Sequence, residues 1–368
     1  MEKTIKILAI NPGSTSTKVG VFENEKEIFS ANITHDAEKL KEFKEVQDQL
    51  DYRSKVVEEE LVNAGIDLNT IDVFVGRGGG LVPIEGGVYK VTERLLQDAR
   101  IGTSGQHPAQ LASQICARFV EKYKGEAFVV NPPDTDEFHD LARVTGLKGL
   151  YRESRIHALN QKEIALRYCK EKNLSYDDIN LIICHLGGGI SVTAHHKGKM
   201  IDSNDIINGE GSMTPTRVGA LPTVKLLKLC FSGKYTEKEL YTKLTKNGGL
   251  IDHLGTSDAR EVEKRISEGD KYAKLVYDAM IYQIGKEVGS MAVVLKGKVD
   301  GIILTGGMSY SDYIVSTLKE YVSWIGPITV MAGEFEMEAL AAGALRVMRG
   351  GEEAKEYTGI PVWQGFDF

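Results

Sequence analysis

Cysteine is scarce: Cys116, Cys169, Cys184 and Cys230 are the four in a chain of 368 residues. Their spacings of 53, 15 and 46 contain no CxxC pair, which excludes a zinc ribbon or dithiol redox motif and leaves free thiols in a reducing compartment. No apolar run approaches the ~18 residues that cross a bilayer, and Ile7–Ile10 is too short for a secretory core region. Basic residues are not in excess, since 45 Lys and Arg stand against 52 Asp and Glu, a formal charge of −7. That balance leaves no electrostatic footprint for phosphate backbones. The expectation is a globular cytoplasmic protein with neither membrane nor nucleic acid as a partner. Its length suits two or three domains at roughly 100 to 200 residues each.

Glycine is plentiful, with 39 residues, and it marks an internal repeat. The segment IKILAINPGSTSTKVGVFENEKEI from Ile5 lies without gaps over INLIICHLGGGISVTAHHKGKMI from Ile179, an offset of 174. In both copies an apolar strand ends at a polar residue, Asn11 or His185. A glycine follows two positions on, Gly13 or Gly187, and a small-residue turn leads to a second strand and then a third. Each copy reads as a β-meander whose first turn can present its N–H groups to an anion. Two copies imply two similar α/β domains facing one cleft. Elsewhere the pattern predicts a long charged helix over 36–64, a strand over 71–75 and a helix over 107–123. Further helices follow near 222–231, 236–247, 257–268 and 270–295, and then a β-α-β run over 301–330.

The chemistry-bearing segments are two small-residue loops, Asn11–Lys18 and His185–Ser191, and a strand running into paired glycines, Gly301–Ser309. Facing loops of open N–H groups can clamp nucleotide phosphates, and no GxxxxGK[ST] motif is present to supply them otherwise. Taken in this order with the repeat, these segments resemble the actin-like ATPase superfamily of sugar kinases, acetokinases and chaperone ATPases. Ile10-Asn-Pro-Gly-Ser-Thr-Ser-Thr-Lys18 is similar to the acetate kinase signature. Further motifs follow in family order: Gly76-Arg-Gly-Gly-Gly80, Gly86-Gly-Val-Tyr89, Gln106-His-Pro108, Ile156–Lys162, Cys184–Gly189, Met213-Thr-Pro-Thr-Arg217 and Gly333–Leu340. Together they resemble the butyrate kinase branch of the acetokinase family over nearly the whole chain.

The resemblance implies a duplicated ribonuclease-H-like fold: a first lobe over 1–152, a second over 153–334, and a C-terminal helix and tail, 335–368, packing back on the first. It implies reversible transfer of a phosphoryl group from ATP to a short-chain fatty acid, butyrate or a branched relative, giving ADP and the acyl phosphate, with Mg²⁺. Acetate or propionate as substrate, or a non-kinase ATPase, are the alternatives. A homodimer or higher homo-oligomer is implied as well. Repulsion between a carboxylate and the γ-phosphoryl group is the main obstacle, so the catalyst is mostly a positioned array of cations and donors. By the resemblance Arg77 and Arg217 clamp the carboxylate and the transferring group, with His157 and His185 as hydrogen-bond donors. Asn11, Ser14, Ser16, Lys18, Gly187, Gly188, Gly189, Gly306 and Gly307 hold the nucleotide. Asn11 with Glu334 or Glu336 serves the metal, and both glutamates fit the family's helix-opening position.

Three readings stay open at this point. The family's catalytic aspartate has no certain counterpart: the position falls on Asn131, with Asp134 and Asp136 close by and Asp136 carried as the candidate. His107 is either a substrate contact or the first residue of a helix. Gly79, in Gly78-Gly79-Gly80, stands where acetate kinases carry bulky residues, so the glycines are expected to vacate a wall for a four-carbon acid. His35, His139, His195, His196 and His253 are expected at the surface.

Overall fold

The apolar run from Ile5 becomes strand β1 (Lys6–Pro12) in the computed structural model, which describes residues 3–366. A meander continues it through β2 (Ser16–Glu23) and β3 (Lys26–Thr34). Strands β4 (Val73–Gly76), β5 (Val88–Lys90) and β6 (Glu126–Val130) complete a six-stranded sheet ordered β3-β2-β1-β4-β6-β5. The second copy of the repeat becomes β7 (Asn180–Leu186), β8 (Ile190–His196) and β9 (Lys199–Ser203). With β10 (Gly301–Gly306) and β11 (Ile328–Ala332) they form a five-stranded sheet ordered β11-β10-β7-β8-β9. The orders 3-2-1-4-6 and 9-8-7-10-11 correspond strand for strand. In each the meander is antiparallel and the next two strands run parallel to its first. The register shifts also correspond, opposite Val21/Phe22 of β2 and Ala194/His195 of β8, where β3 and β9 each carry one extra residue, Ile28 and Ile201. This is a duplicated α/β fold, and the strand β5 has no counterpart in the second copy.

The chain divides into two units, Met1–Asp136 with Ala158–Glu163 and Phe335–Phe368, and Glu137–His157 with Ile164–Glu334. The first boundary falls at 136, where the sequence reading drew it at 152. Residues 137–157 are tied to the second sheet: Met200 donates its N–H to Glu137 Oε2 (2.7 Å), and Arg152 holds Asp202 and Glu210, each at 2.9 Å. Residues 158–163 go with the first unit because Leu159 enters its core and Asn160 accepts the N–H of Phe335 (3.1 Å).

Alternating side chains of the first sheet feed two cores. Leu8, Ile10 and Phe74 pack on the helices Leu50–Asn63 and Leu111–Tyr123, while Ile7, Ala9, Val73 and Val75 pack on the helix Glu336–Met348. In the second unit Ile182, Cys184, Ile302 and Leu304 meet Tyr277, Ile281, Ile284 and Val288 of the helix Lys271–Val294. Burial of each such side chain is worth about 1.5 to 3 kcal/mol, which makes the sheets firm platforms for the loops at their strand ends.

Local signals account for most helices. Thr236 and Glu239 form the capping box of Glu237–Thr245, and Asp258 and Asp270 cap Ala259–Ser267 and Lys271–Val294. Pro222 sits at the N-cap of Thr223–Cys230 rather than in its first turn. The stretch 36–64 is not one helix. Asp36 caps a short helix, Ala37–Lys41, and a second capping box, Glu45 with Asp48, starts a new turn before Leu50–Asn63. Helices at Glu93–Ile101 and Ala158–Lys172 were not foreseen, although Thr92 caps the first and Gly102 closes it at φ +70°.

Candidate active site

In each unit, site residues gather where parallel strands end. Asn11 lies near the end of β1, Arg77 directly follows the parallel neighbour β4, His185 lies near the end of β7, and Gly306 ends the parallel neighbour β10. Ligands bind at such carboxyl ends in open α/β sheets.

In the first unit, buried Asn11 donates from Nδ2 to Glu336 Oε2 (2.7 Å), and Arg77 Nη1 stands 3.5 Å from Glu336 Oε1. Three separated motifs thus converge on one carboxylate at the opening of the C-terminal helix. The turn between β1 and β2 closes through Gly13 N–H to Ser16 O (2.7 Å), leaving Ser14 exposed and Ser16 half-buried. Lys18 pairs with Asn11 in the β1–β2 ladder and shares its face of the hairpin. His107 accepts the N–H of Ala109 at Nδ1 (3.1 Å) and so caps the turn Pro108–Gln110. Partial desolvation, then the charges of Arg77 and Arg53, pull its pKa below the ordinary value.

The aspartate alternatives separate partly. Asn131, at φ +38°, accepts the N–H of Gly87 (2.7 Å) and donates its own N–H to Gly87 O (3.0 Å), so it is spent on holding a turn. Asp134 accepts the Ser104 hydroxyl. Asp136 is buried, and its N–H binds Ile84 O (2.7 Å).

The expected wall at Gly78-Gly79-Gly80 is shaped by its backbone. All three glycines lie at positive φ, +71°, +143° and +72°. A methyl on Gly78 would overlap Val129, one on Gly80 would come within 3.1 Å of the Gly102 Cα, and one on Gly79 would touch Ala109 and the Gln110 N–H at 3.5 Å. These glycines serve a tight turn: at Gly78 and Gly80 a side chain would crowd its neighbours, and at Gly79 the backbone conformation rather than the surrounding space opposes one.

In the second unit the rings of His157 and His185 stack with centroids 4.0 Å apart and planes 17° from parallel. His157 Nδ1 meets Ser191 Oγ at 2.9 Å, and His185 Nε2 lies 3.9 Å from Glu334 Oε1. The two glutamate candidates therefore sit in different company, Glu336 with Asn11 and Arg77, Glu334 with His185. The loop Gly187–Gly189 is pinned by hydroxyls of the Thr-Pro-Thr turn: Thr214 and Thr216 donate to Gly188 O at 2.8 and 3.0 Å. That turn also carries Arg217, whose guanidinium lies against Gly189 so closely that a methyl there would overlap Nη1. Arg217 Nη1 is buried without a hydrogen-bond partner among the described residues. Burial lowers the pKa of this guanidinium, opposed by Asp205. A buried cationic donor left open costs free energy unless an anion completes it.

Gly188 and Gly307 also line a cavity of about 790 Å³ shared with Thr216, Arg260, Glu263 and Ser311, a size that suits a nucleoside-sized ligand. Gly306 stands at φ +88° where any Cβ would strike Leu186, so β10 ends in a backbone-lined rim. The residues around Ser257–Glu263 carried no motif that marks them as lining a site, and Ser191 was legible only as the end of the His185–Ser191 loop, not as the partner of His157.

Among the described residues no three His, Cys, Asp or Glu side chains cluster as a metal cage. Magnesium needs no such cage, since it is held by one or two protein oxygens together with phosphates and water. The Glu336 carboxylate and the amide oxygen of Asn11, whose Nδ2 holds Glu336, are hard oxygens that suit that donor set. Two histidines expected at the surface are buried. His195 shares its face of β8 with buried Ser191 and Thr193, so that face is covered as well as the one that bears Val192 and Ala194, and it meets Tyr176 OH at 2.6 Å. His35 meets Thr17 Oγ1 at 2.8 Å, and burial followed by the Arg53 charge lowers its pKa to about 4. Of the cysteines, Cys230 is exposed and the others are buried.

A family model described as the acetokinase family matches residues 147–326. Butyrate kinase 2 of Clostridium acetobutylicum is 47% identical over 352 residues, which cover 96% of this chain and 99% of that protein. Two solved structures share the fold at 18% identity. They are a Porphyromonas gingivalis acetate kinase (TM-score 0.75, covering 94% of this chain and 100% of that one) and a Francisella tularensis propionate kinase (TM-score 0.73, covering 92% and 98%).

Proposed function

The chain belongs to the acetokinase family, and from that premise we propose that it phosphorylates butyrate, or a branched short-chain relative, at the expense of ATP. A carboxylate oxygen attacks the γ-phosphorus, the bond from that phosphorus to the β,γ-bridging oxygen breaks, and ADP leaves as the acyl phosphate forms. No protein nucleophile takes part. The observation that carries this reading is the buried Arg217 guanidinium, held against Gly189 with Nη1 open, beside the two stacked histidines. Such a group suits charge that develops on equatorial phosphoryl oxygens.

Arg77 orients the carboxylate or the transferring group, and Glu336 fixes its guanidinium. His157 and His185 donate hydrogen bonds, with Ser191 setting the ring of His157. Asn11 and Glu336 are the residues that would hold Mg²⁺, which lowers the negative charge that the incoming carboxylate meets. The cavity beside Gly188 and Gly307 takes the adenosine part of the nucleotide. No helix among the described residues is long and apolar enough to cross a membrane. A cytoplasmic setting and a homo-oligomeric state accompany this reading, and light scattering after size exclusion tests the latter.

The deciding experiment is coupled ADP release across C2 to C6 acids, with hydroxylamine trapping of the product. ADP release that requires a carboxylate and yields a hydroxamate is the expected result. ATP hydrolysis indifferent to any acid would defeat the proposal.

A further inference from the structure

Arg53 is a fully buried side chain on the inner face of the helix Leu50–Asn63, and every acceptor it reaches is neutral. Nε donates to Gln49 Oε1 (2.9 Å), Nη1 to Ser16 O (3.2 Å) and Thr17 Oγ1 (3.1 Å), and Nη2 to Ser14 O (3.2 Å). Among the described residues no carboxylate pairs with it. A buried charge of this kind is costly unless something of opposite sign compensates it. Three of its four contacts lie on the turn between β1 and β2 and the first two residues of β2. Its guanidinium draws the carbonyl oxygens of Ser14 and Ser16 toward itself. On the same turn the N–H groups of Ser14 and Thr15 make no hydrogen bond among the described residues. The carbonyls, which would repel an anion, are thus neutralised by a cation while neighbouring N–H groups stay open.

We propose that Arg53 is a positioning residue that makes the Ser14–Ser16 turn a receptor for a phosphoryl oxyanion, both by orienting its carbonyls and by supplying an unneutralised positive charge behind it. The inference rests on the carboxylate kinase reading and extends it to a residue that touches no substrate. Its field reaches the neighbouring titratable groups of the unit, since the Arg53 charge helps depress both His35 and His107. The oxyanion can come from ATP or from the acyl phosphate of the reverse reaction.

The test compares Arg53→Gln, which loses the charge but keeps an amide donor, with Arg53→Lys, which keeps the charge but loses the planar fork. In the full-length enzyme the expected result for Arg53→Gln is a KM for ATP or for butyryl phosphate raised at least tenfold, with the KM for butyrate changed less than twofold. The substrate whose KM rises identifies the source of the oxyanion. Arg53→Lys should stay within threefold of the parent on all three substrates. Inorganic tripolyphosphate should raise the Tm of the parent and of Arg53→Lys, and raise it less as NaCl is added. Should Arg53→Gln fail to fold, Arg53→Lys decides alone: a tenfold loss there overturns the charge argument and leaves a mere brace. Equal losses in both variants, or a butyrate KM that rises with the others, overturn it too. A parent enzyme that binds tripolyphosphate but phosphorylates no acid would defeat the kinase reading and leave the oxyanion receptor standing.

Discussion

Replacing Gly189 by alanine tests whether the Arg217 guanidinium is the working cation of the second unit. Gly189 is not among the glycines at positive φ, so alanine meets no backbone strain there. What the added methyl meets is Arg217: it overlaps Nη1 and lies 3.2 Å from Cζ, with His157 Cε1 at 3.5 Å. The obstacle is the far end of a flexible side chain whose Nη1 has no hydrogen bond to lose, so the guanidinium can yield by an order of 1 Å with little loss of stability. Activity should not survive that shift. A misplaced donor to a developing oxyanion is worth roughly 2 to 4 kcal/mol of barrier, near 10² to 10³ in rate. Gly189→Ala is therefore expected to keep its Tm within a few degrees while kcat for ATP and butyrate falls about 10²-fold or more. Arg217→Ala should fall as far, and the double variant no further, because the two changes remove one interaction. Additive losses in the double variant, or parental turnover in Gly189→Ala, would refute the reasoning.

Arg77→Ala is expected to fold normally and lose roughly 10²- to 10³-fold in kcat/KM, and unchanged turnover would remove Arg77 from the site. Rapid-quench labelling with γ-labelled ATP should trap no phosphohistidine, since His157 and His185 act as donors; label on either ring would contradict that assignment. His35, with a folded pKa of about 4 against 6.5, stays neutral in the folded chain while the unfolded chain takes up a proton. Stability should therefore fall as pH drops from about 6.5 to 4, by up to about 3 kcal/mol in denaturant melts, and His35→Gln should flatten that slope. Gly79→Val, at φ +143°, should lower the Tm without altering the ratio of butyrate to acetate efficiency, and a folded variant that switched toward acetate would restore the vacated-wall idea.

The duplicated sheet was legible because its signals are local. Apolar strands, a polar terminal residue and a small-residue turn recur at one offset, and the strand order repeats with them. The residues that gather round Asn11 and round His185 could likewise be named from their motifs. What could not be read is tertiary. Arg53 lies in a stretch whose charge pattern suggests a solvated helix, and only the packing of that helix beneath the β1–β2 turn buries it. His195 lies on the face of β8 opposite the core residues Val192 and Ala194, and it is buried because that second face is covered too. The choice between Glu334 and Glu336 also needed coordinates, because two residues of separation place one beside His185 and the other beside Asn11.

The sharpest lesson concerns two triplets that look alike in sequence, Gly78-Gly79-Gly80 and Gly187-Gly188-Gly189. The first is glycine because its backbone occupies positive φ at every position, a conformation that side chains resist whatever space surrounds them. The second has ordinary φ throughout, and its last member is glycine because an arginine guanidinium occupies the place of a side chain. One triplet answers to the turn that it makes, the other to the chemistry that it admits. The glycines after Arg77 are thus accounted for by their backbone and are no evidence of volume cleared for a four-carbon acid. The variants that probe such a preference are substitutions at positions of ordinary φ, where a change of volume is not confounded by a change of backbone.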